Sequence, residues 1–554
     1  MNRCSAFEIL PDEILLNIYE YLHHIDIVYS FFNLNTRLNR IINEFCDNFN
    51  LNTATYKQFK YILSNIGSNI RSMVINGNWL SFLANEIHSV KFDSNLSLIF
   101  PNLHTLTLEY FTGEQLCTYL EKLQTPKLVK LNIKCLLEQR QDEILEQILS
   151  RNQQLKFIRF DQDSIFLSLR ITNTTLFYGN IQELIVNLID HEMLADLFTL
   201  LPNLCRLHIN TGQSPFVSTE NLANISPLAH LNDFKLCSIG MSWGFEEITD
   251  ILCKMPSLQK LTLLLSTTDH RLVNKKNLSV ILPSSTIQIN FFILYYFSES
   301  SGDLDASLDT WPLRQISSTR FTIRSDRYAL AHTVPFNINS MILPSIIAEN
   351  ILPVWKYMGS VKNLIVDRTL PSNNILMIVQ HLHGIQALTI EATASQSIQS
   401  VVLHLPHLKW LKITGPCELF PILKAAPNLN DLSIDFDGFN RLINNDLLET
   451  RIVRLEIHRL RGNEKIDFDL IIKKFTNLRH LVLSTTNSTD TIDSLITQAL
   501  ERCREEGLIY LCIKGSLSQY GSRTIRGRFA DHSYLAQNDS FRIDHREKRV
   551  HLWL

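Results

Sequence analysis

Glycine and proline are scarce in this chain, at 17 residues each out of 554. Flexible and stiff linkers both depend on them, so there is little room for long spacers between folded parts. An excess of either charge is also missing. The 52 Lys and Arg against 55 Asp and Glu leave a formal charge of −3. Polyanion readers normally carry a strong basic excess, so nucleic acid is not an expected partner. The 10 cysteines include no C-x-x-C pair, so neither a zinc knuckle nor a redox pair is written here. Glu8, Asp12 and Glu13 interrupt the place where a secretory leader would be apolar, which predicts reduced thiols in a cytoplasmic or nuclear protein. Residues 277 to 298 carry no charge, but Pro283, Gln288 and Asn290 break them and the unbroken apolar run is only Phe291 to Phe297. That run reads as a buried strand, and no membrane partner is expected.

Catalytic constellations are absent as well. His191-Glu192-Met193-Leu194-Ala195 begins like a zincin helix, but alanine stands where the second histidine ligand belongs. There is no G-x-G-x-x-G, no Walker loop and no G-x-S-x-G elbow. His404 and His407 would share a helix face, yet have no carboxylate or cysteine nearby to complete a metal site. No catalytic residue, cofactor or metal is therefore expected. An enzyme using residues 298–360 would need a nucleophile–base pair that is not legible there.

What the chain does have is a repeat. The template L-x-x-L-x-L, with Ile, Val or Phe allowed, starts clearly at Leu103, Leu128, Leu155, Ile181, Leu204, Leu231 and Leu258. It resumes at Val361, Ile385, Leu408, Leu429, Ile452, Leu478 and Leu508. Weaker copies begin at Ile70, Ile87, Ser284 and Ser318. Several open with Pro-Asn-Leu or a close variant, as in PNLHTLTL at 101, PNLCRLHI at 202 and PNLNDLSI at 427. Period-2 apolar positions mark strands. Many are preceded by a helical pattern, as in Gly113 to Leu123, Glu138 to Arg151, His191 to Leu200, Phe245 to Lys254, Phe468 to Phe475 and Thr491 to Glu506. Strand then amphipathic helix is one coil of an α/β solenoid, and units must stack because neither element buries its apolar side alone.

This array resembles an irregular leucine-rich repeat over about residues 65 to 515. The resemblance implies a horseshoe with a parallel sheet on the concave face and helices on the convex face. It departs from the family in the slot three residues after the last template leucine. Phe111, Leu136, Gly212, Ser266, Pro416, Asp437 and Leu460 stand where Asn is usual, so an asparagine ladder is not expected. Residues 298–360, with an acidic stretch, Trp311 and Trp355, break the spacing. After about residue 518 the pattern stops, and Val550 and Leu552 are candidates for a capping strand.

Residues 7 to 22 read FEILPDEILLNIYEYL. Pro11 suits a helix start, Asp12 and Glu13 suit the positive end of the helix dipole, and Ile14, Leu15, Ile18, Tyr21 and Leu22 recur at helical spacing. Two further amphipathic pieces run from Asp26 to Leu34 and from Asn35 to Phe45. The Leu10-to-Leu15 hexapeptide, Tyr21-Leu22, Ile25-Asp26-Ile27 and Arg37 together resemble an F-box, a three-helix element that docks on an Skp-type adaptor of a cullin–RING (SCF) ubiquitin ligase. By this resemblance the adaptor-binding residues are Leu10, Pro11, Ile14, Leu15, Ile18, Tyr21, Leu22, Ile27, Phe31 and Leu38. Leu38 stands where many members carry Trp, implying a weaker adaptor contact.

The expected organisation is an F-box at 1–46, a repeat solenoid at 47–518 and a C-terminal cap or tail at 519–554. Residues between the template leucines point away from the core. From the first half these include Lys130, Lys134, Phe157, Arg159, Arg206, His208, Lys235 and Lys260, a set that leans basic. The second half contributes Trp410, Lys412, Asp431 and Asp435 and leans acidic. An unidentified target protein is the expected partner of this face. The alternative is a repeat scaffold outside ubiquitin transfer, its first helices serving only as a cap.

Overall fold

Leu106, Leu131, Ile158, Leu184, Leu207, Phe234 and Leu261 stack in register, one from each successive strand, and all are fully buried. This column is the template leucine seen in three dimensions. Each side chain removes its neighbours from water at about 1.5–3 kcal/mol per residue, so a coil is stable only inside the stack.

The structure is a computed structural model. It describes residues 10–54, 56–77, 99–123, 125–137, 144–151, 154–169, 177–189, 193–211, 225–274 and 287–297 of the first part of the chain. Beyond them it describes 316–323, 326–333, 339–343, 359–366, 379–391, 403–415, 420–443, 451–460, 466–485, 510–515, 541–544 and 549–553, with isolated residues between. The solenoid expected over 47–518 divides into two compact units, residues 1–314 and 315–554.

Among the described residues of the first unit, ten strands follow one another in sheet order. They are β1 (Asn48–Asn50), β2 (Ser72–Asn76), β3 (Thr105–Glu109), β4 (Lys130–Lys134) and β5 (Phe157–Phe160). β6 (Glu183–Leu188), β7 (Arg206–Thr211), β8 (Asp233–Ser242), β9 (Lys260–Thr267) and β10 (Gln288–Phe297) complete the run. Neighbours pair in parallel. The uncharged stretch ending at Phe297 is thus strand β10, and no helix among the described residues is long and apolar enough to cross a membrane. Helices Gly113–Lys122, Ile144–Arg151, Met193–Leu200 and Phe245–Cys253 lie between strands and bury their apolar stripes. The first is fixed by a capping box, Thr112 Oγ1 accepting from the Gln115 N–H and Gln115 Oε1 from the Thr112 N–H.

The second unit opens with an antiparallel hairpin, β11 (Ile316–Ile323) and β12 (Asp326–Thr333). The weak copy at Ser318 is therefore a hairpin strand and not a repeat strand. A parallel run follows: β13 (Ser340–Leu343), β14 (Asn363–Val366), β15 (Ala387–Glu391), β16 (Trp410–Thr414), β17 (Asp431–Asp435), β18 (Arg454–Leu460), β19 (His480–Thr485) and β20 (Tyr510–Lys514). β21 (Phe541–Asp544) and β22 (Arg549–Trp553) close it, β22 pairing antiparallel with β20. An antiparallel strand ends the addition of parallel coils, which a terminal cap requires. The weak copy at Ile87, the acidic stretch before Trp311, and the helical patterns at 138–143 and 191–192 lie outside the described residues, as does most of that at 491–506.

Asparagine does link the coils, but not in the expected slot. The residue just before the first template leucine donates its amide to a backbone carbonyl one coil earlier. These bonds are Asn102 to Ser68 (2.8 Å), Asn180 to Leu155 (2.6 Å), Asn203 to Gly179 (2.8 Å) and Asn428 to Pro406 (2.6 Å). The Pro-Asn-Leu signature is therefore an inter-coil staple. Buried Asn187 adds a second link, donating to the Asp161 and Ser164 carbonyls and accepting from Asn210 at 2.7 Å. The slot three residues after the last template leucine holds apolar Phe111, Leu136 and Leu460 instead, all buried.

Candidate functional site: an apolar helix stripe and a charged sheet face

Three short helices, α1 (Asp12–Tyr19), α2 (His24–Phe31) and α3 (Thr36–Phe45), precede the first strand. Pro11 is the N-cap of α1, not its first helical residue, because its ψ of 152° is non-helical while its carbonyl accepts the Ile14 and Leu15 N–H groups at 3.1 Å each. Arg37 on α3 ties the start of α1 down. Its guanidinium donates to Asp12 Oδ1 from Nε at 2.8 Å and to the Leu10 carbonyl from Nη2 at 2.5 Å. Arg40 reaches the other Asp12 oxygen at 3.2 Å. Asn35 caps α3 by accepting the Leu38 N–H at 2.8 Å.

The residues named for adaptor contact separate into two groups. Leu15 and Ile27 are fully covered and Leu38 is 1% exposed, so these three are core of the helical unit and not a docking surface. The expectation of a weakened contact at Leu38 falls with them, since a covered side chain cannot meet a partner. Three short helices need a core of their own, and Leu15, Tyr19, Ile27, Val28, Leu38, Ile41 and Ile42 supply it. Phe31 is partly covered and lies 5.7 Å from the Tyr19 ring. Ile14 at 44%, Tyr21 at 89% and Leu22 at 39% are exposed, with Ile18 half-buried between them. Their i, i+4, i+7, i+8 spacing makes one stripe down α1 and into the following turn. Pro11 is exposed and Leu10 half-buried beside its upper end.

The second candidate is the sheet face opposite the leucine column. In the first unit one row across the strands reads Lys130, Phe157, Glu183, Arg206, Asp233, Lys260, and the next reads Asn132, Arg159, Ile185, His208, Lys235, Thr262. Glu183 is ion-paired with both Arg159 and Arg206, the latter at 3.0 Å. Asp233 accepts from Arg206 Nε at 3.0 Å, meets His208 at 3.1 Å and has Lys260 at 3.8 Å. Both carboxylates are under 10% exposed, whereas Arg159, Arg206 and Lys260 keep 38, 42 and 44% of their side chains open. Burial pushes His208 below its ordinary range, against the pull of Asp233. Burial raises Asp233, but His208, Lys260 and Arg206 outweigh it and hold the carboxyl low. Lys134, at the next row, pairs with Glu109 at 2.8 Å.

In the second unit the equivalent rows read Trp410, Asp431, Arg454, His480, Tyr510 and Lys412, Ser433, Glu456, Val482, Cys512. Glu456 is the hub, with Lys514 at 2.9 Å and Arg454 and His458 at 3.9 Å. Burial opposes its charge, but Lys514, His458 and Arg454 hold its carboxyl at about 2. Burial, helped by Arg454 and Arg479, drives His480 down to about 4. The acidic lean expected of this half is cancelled here by lysine and arginine. Asp435 is 8% exposed and accepts the Gly415 N–H and Arg459, so it is a turn anchor and not a contact for a partner. Trp410, Lys412 and Asp431 remain partly open.

Two features were not legible in the sequence. Cys135, Asp161 and Asp163 come together, but Asp161 is occupied, accepting the Cys135 N–H at 3.0 Å and the Ser164 hydroxyl at 2.6 Å. Cys135 has φ 50°, so the pair secures a left-handed turn. A polar cleft of about 1140 Å³ opens between α3 and the first coils, lined by residues such as Arg40, Glu44, Arg71, His104 and Lys127.

No family model matches this chain, and no curated protein does. Among solved structures, a leucine-rich-repeat (LRR) protein of Leptospira interrogans aligns over 77% of this chain and 93% of its own, at 14% identity and a TM-score of 0.21. A score that low carries no argument, and the repeat fold rests on the strand order and register above.

Proposed function

We propose that this protein is the target-binding subunit of an SCF-type ubiquitin ligase, its three N-terminal helices docking on an Skp-type adaptor and its sheet face holding the target. The observation that carries this reading is the open stripe of Ile14, Ile18, Tyr21 and Leu22. Among the described residues, the helices at 113–122, 144–151, 193–200 and 245–253 expose no large apolar side chain. In the N-terminal helical region, by contrast, Tyr29 and Leu34 are exposed along with the stripe. A stripe left in water beside a fully formed core is suited to a foreign surface. The arrangement supplies proximity and no chemistry of its own: a held target meets a charged ligase partner at high effective concentration.

The second reading is an interaction scaffold unconnected with ubiquitin transfer, in which the sheet face binds a partner and the N-terminal helices only cap the array. Co-purification of the whole chain with a recombinant Skp-type adaptor separates the two. Ile14→Asp with Leu22→Asp should abolish capture while leaving thermal unfolding near that of the parent, because both side chains already face water. A parent protein that captures no adaptor removes the ligase reading and leaves the scaffold.

A further inference from the structure

Three lysines stand around the starts of β14, β15 and β16 with their ammonium groups unspent. Lys362 and Lys409 are the residues just before β14 and β16. One coil lies between them, Gln386 N–H donating to the Lys362 carbonyl at 2.6 Å and Lys409 N–H to the Gln386 carbonyl at 2.9 Å. Both lysines are exposed, and half-open Lys412 follows in the second row of β16. None of the three ammonium groups makes a hydrogen bond or ion pair among the described residues. The described residues of these strands and of the turns before them hold one carboxylate, Glu391, at the far end of β15. On the next strand Asp431 already faces Arg454 at 3.9 Å. Over its first two rows the second unit balances its charge as a whole; this corner does not.

A slot with a short floor lies among the lysines. The first row reads Asn363, Ala387, Trp410, Asp431 and the second Ile365, Thr389, Lys412, Ser433. Leu364, Leu388 and Leu411 between them are buried, so both rows face outward. Ala387 and Thr389 are short, whereas Trp410 on one side and Ile365 on the other are long and half-open. Ala387 is itself partly open, so the indole leaves its β15 side accessible. Trp410 stacks on no ring or cation among the described residues. A half-open tryptophan beside a short neighbour is the residue type and setting that anchors protein interfaces.

We infer that this corner receives an acidic peptide segment through one large apolar side chain, seated over Ala387 between Trp410 and Ile365. Carboxylates flanking that side chain accept from Lys362 on one side and from Lys409 and Lys412 on the other. A single-stranded nucleic acid is the poorer fit, because successive bases need successive rings. Between β14 and β17 the first row offers Trp410 alone, with Asp431 next to it. The segment belongs to the held target, and in that respect rests on the target-binding role proposed above while specifying the chemistry of what is held.

The test is fluorescence anisotropy with the full-length protein and labelled Asp-Glu-Phe-Glu-Asp, against Asp-Glu-Ala-Glu-Asp, Asn-Gln-Phe-Gln-Asn and hexathymidylate. The acidic phenylalanine peptide should bind at least about tenfold tighter than any of the three, with affinity falling as salt rises. Trp410→Ala should weaken it by about tenfold. Lys409→Gln and Lys412→Gln, which break no ion pair, should each weaken it by about threefold, and Lys235→Gln in the first unit should leave it unchanged. Equal affinity for the phenylalanine and alanine peptides, no binding up to about 1 mM, hexathymidylate bound as tightly as the peptide, or affinity untouched by all three second-unit variants would overturn the inference. The lysine variants decide the matter if Trp410→Ala fails to fold, since both side chains already meet water. Adaptor capture in the same preparation is a separate readout. If it persists while the peptide fails, only the present inference falls; if it fails while the peptide binds, only the ligase reading does.

Discussion

The two units share an apolar interior and differ in what they do with charge. Both stack one leucine-type side chain per strand in a fully buried column, Leu207 in the first and Leu455 in the second being equivalent members. Over the first two rows of the open face, the first unit sets five cations against two carboxylates. The second sets Lys412 and Arg454 against Asp431 and Glu456. One sheet leaves positive charge available and the other cancels its charge internally. The interior is dictated by stacking, which tolerates one solution; the open face is free to diverge because its residues take no part in the leucine column.

The largest effect should appear where the units are alike. Leu207→Ala and Leu455→Ala each delete a fully buried side chain and should cost about 2–5 kcal/mol, by transfer free energy plus the cavity left behind. Urea unfolding followed by hydrogen exchange would assign each loss to its own unit. A cost under about 1 kcal/mol at either site would mean that its coil collapses around the gap and that the shared interior is not equally packed.

Acid should separate the units. Glu456 has its folded pKa held at about 2 by Lys514, His458 and Arg454 despite burial, so its contribution is present above the unfolded carboxylate pKa and is lost as pH falls from about 4.5 toward 2. His480 is held neutral, at about 4, so its contribution is complete above the unfolded value of about 6.5 and is lost between there and 4. Each shift corresponds to about 3 kcal/mol at most. Lowered His208 gives the first unit a limb in the same window, but the larger shift at His480 should make the second unit lose more protection as pH drops below about 6, and His480→Gln should shrink that upper limb while leaving the one below pH 4.5. Equal loss in both units would show that the charge contrast has no energetic counterpart.

Much of the strand array was legible because a template leucine announces each coil and nothing competes with that pattern. Register of the open face followed, since period 2 sends Arg206, His208 and Lys235 one way and their neighbours the other. Three things were not legible. Burial of Glu183 and Asp233 depends on cations 23 to 27 residues away, and a sequence does not state which long side chain leans on which. The division of the helical residues was hidden because α1 and α2 are each apolar on more than one side. Leu15 and Ile14 are adjacent in sequence and equally hydrophobic, yet one is core and the other open. The hairpin β11–β12 resembled a weak repeat because Phe321 and Ile323 of STRFTI match the last two template positions.

The asparagine staple should give the smallest change and the most exacting comparison, because it occurs in both units. Asn203 donates to the Gly179 carbonyl at 2.8 Å and Asn428 to that of Pro406 at 2.6 Å. Both asparagines are exposed, so water replaces the lost amide and no buried donor is stranded. Asn203→Ala and Asn428→Ala should each cost only about 0.5–1.5 kcal/mol, the net worth of one exchanged hydrogen bond. Asn203→Asp should cost at least as much, because a carboxylate offers the carbonyl no proton and repels its oxygen. Urea midpoints of the variants, read against the parent in the same buffer, measure this directly. An aspartate variant as stable as the parent would mean that coil spacing is set by the leucine column alone and that Pro-Asn-Leu marks only a turn.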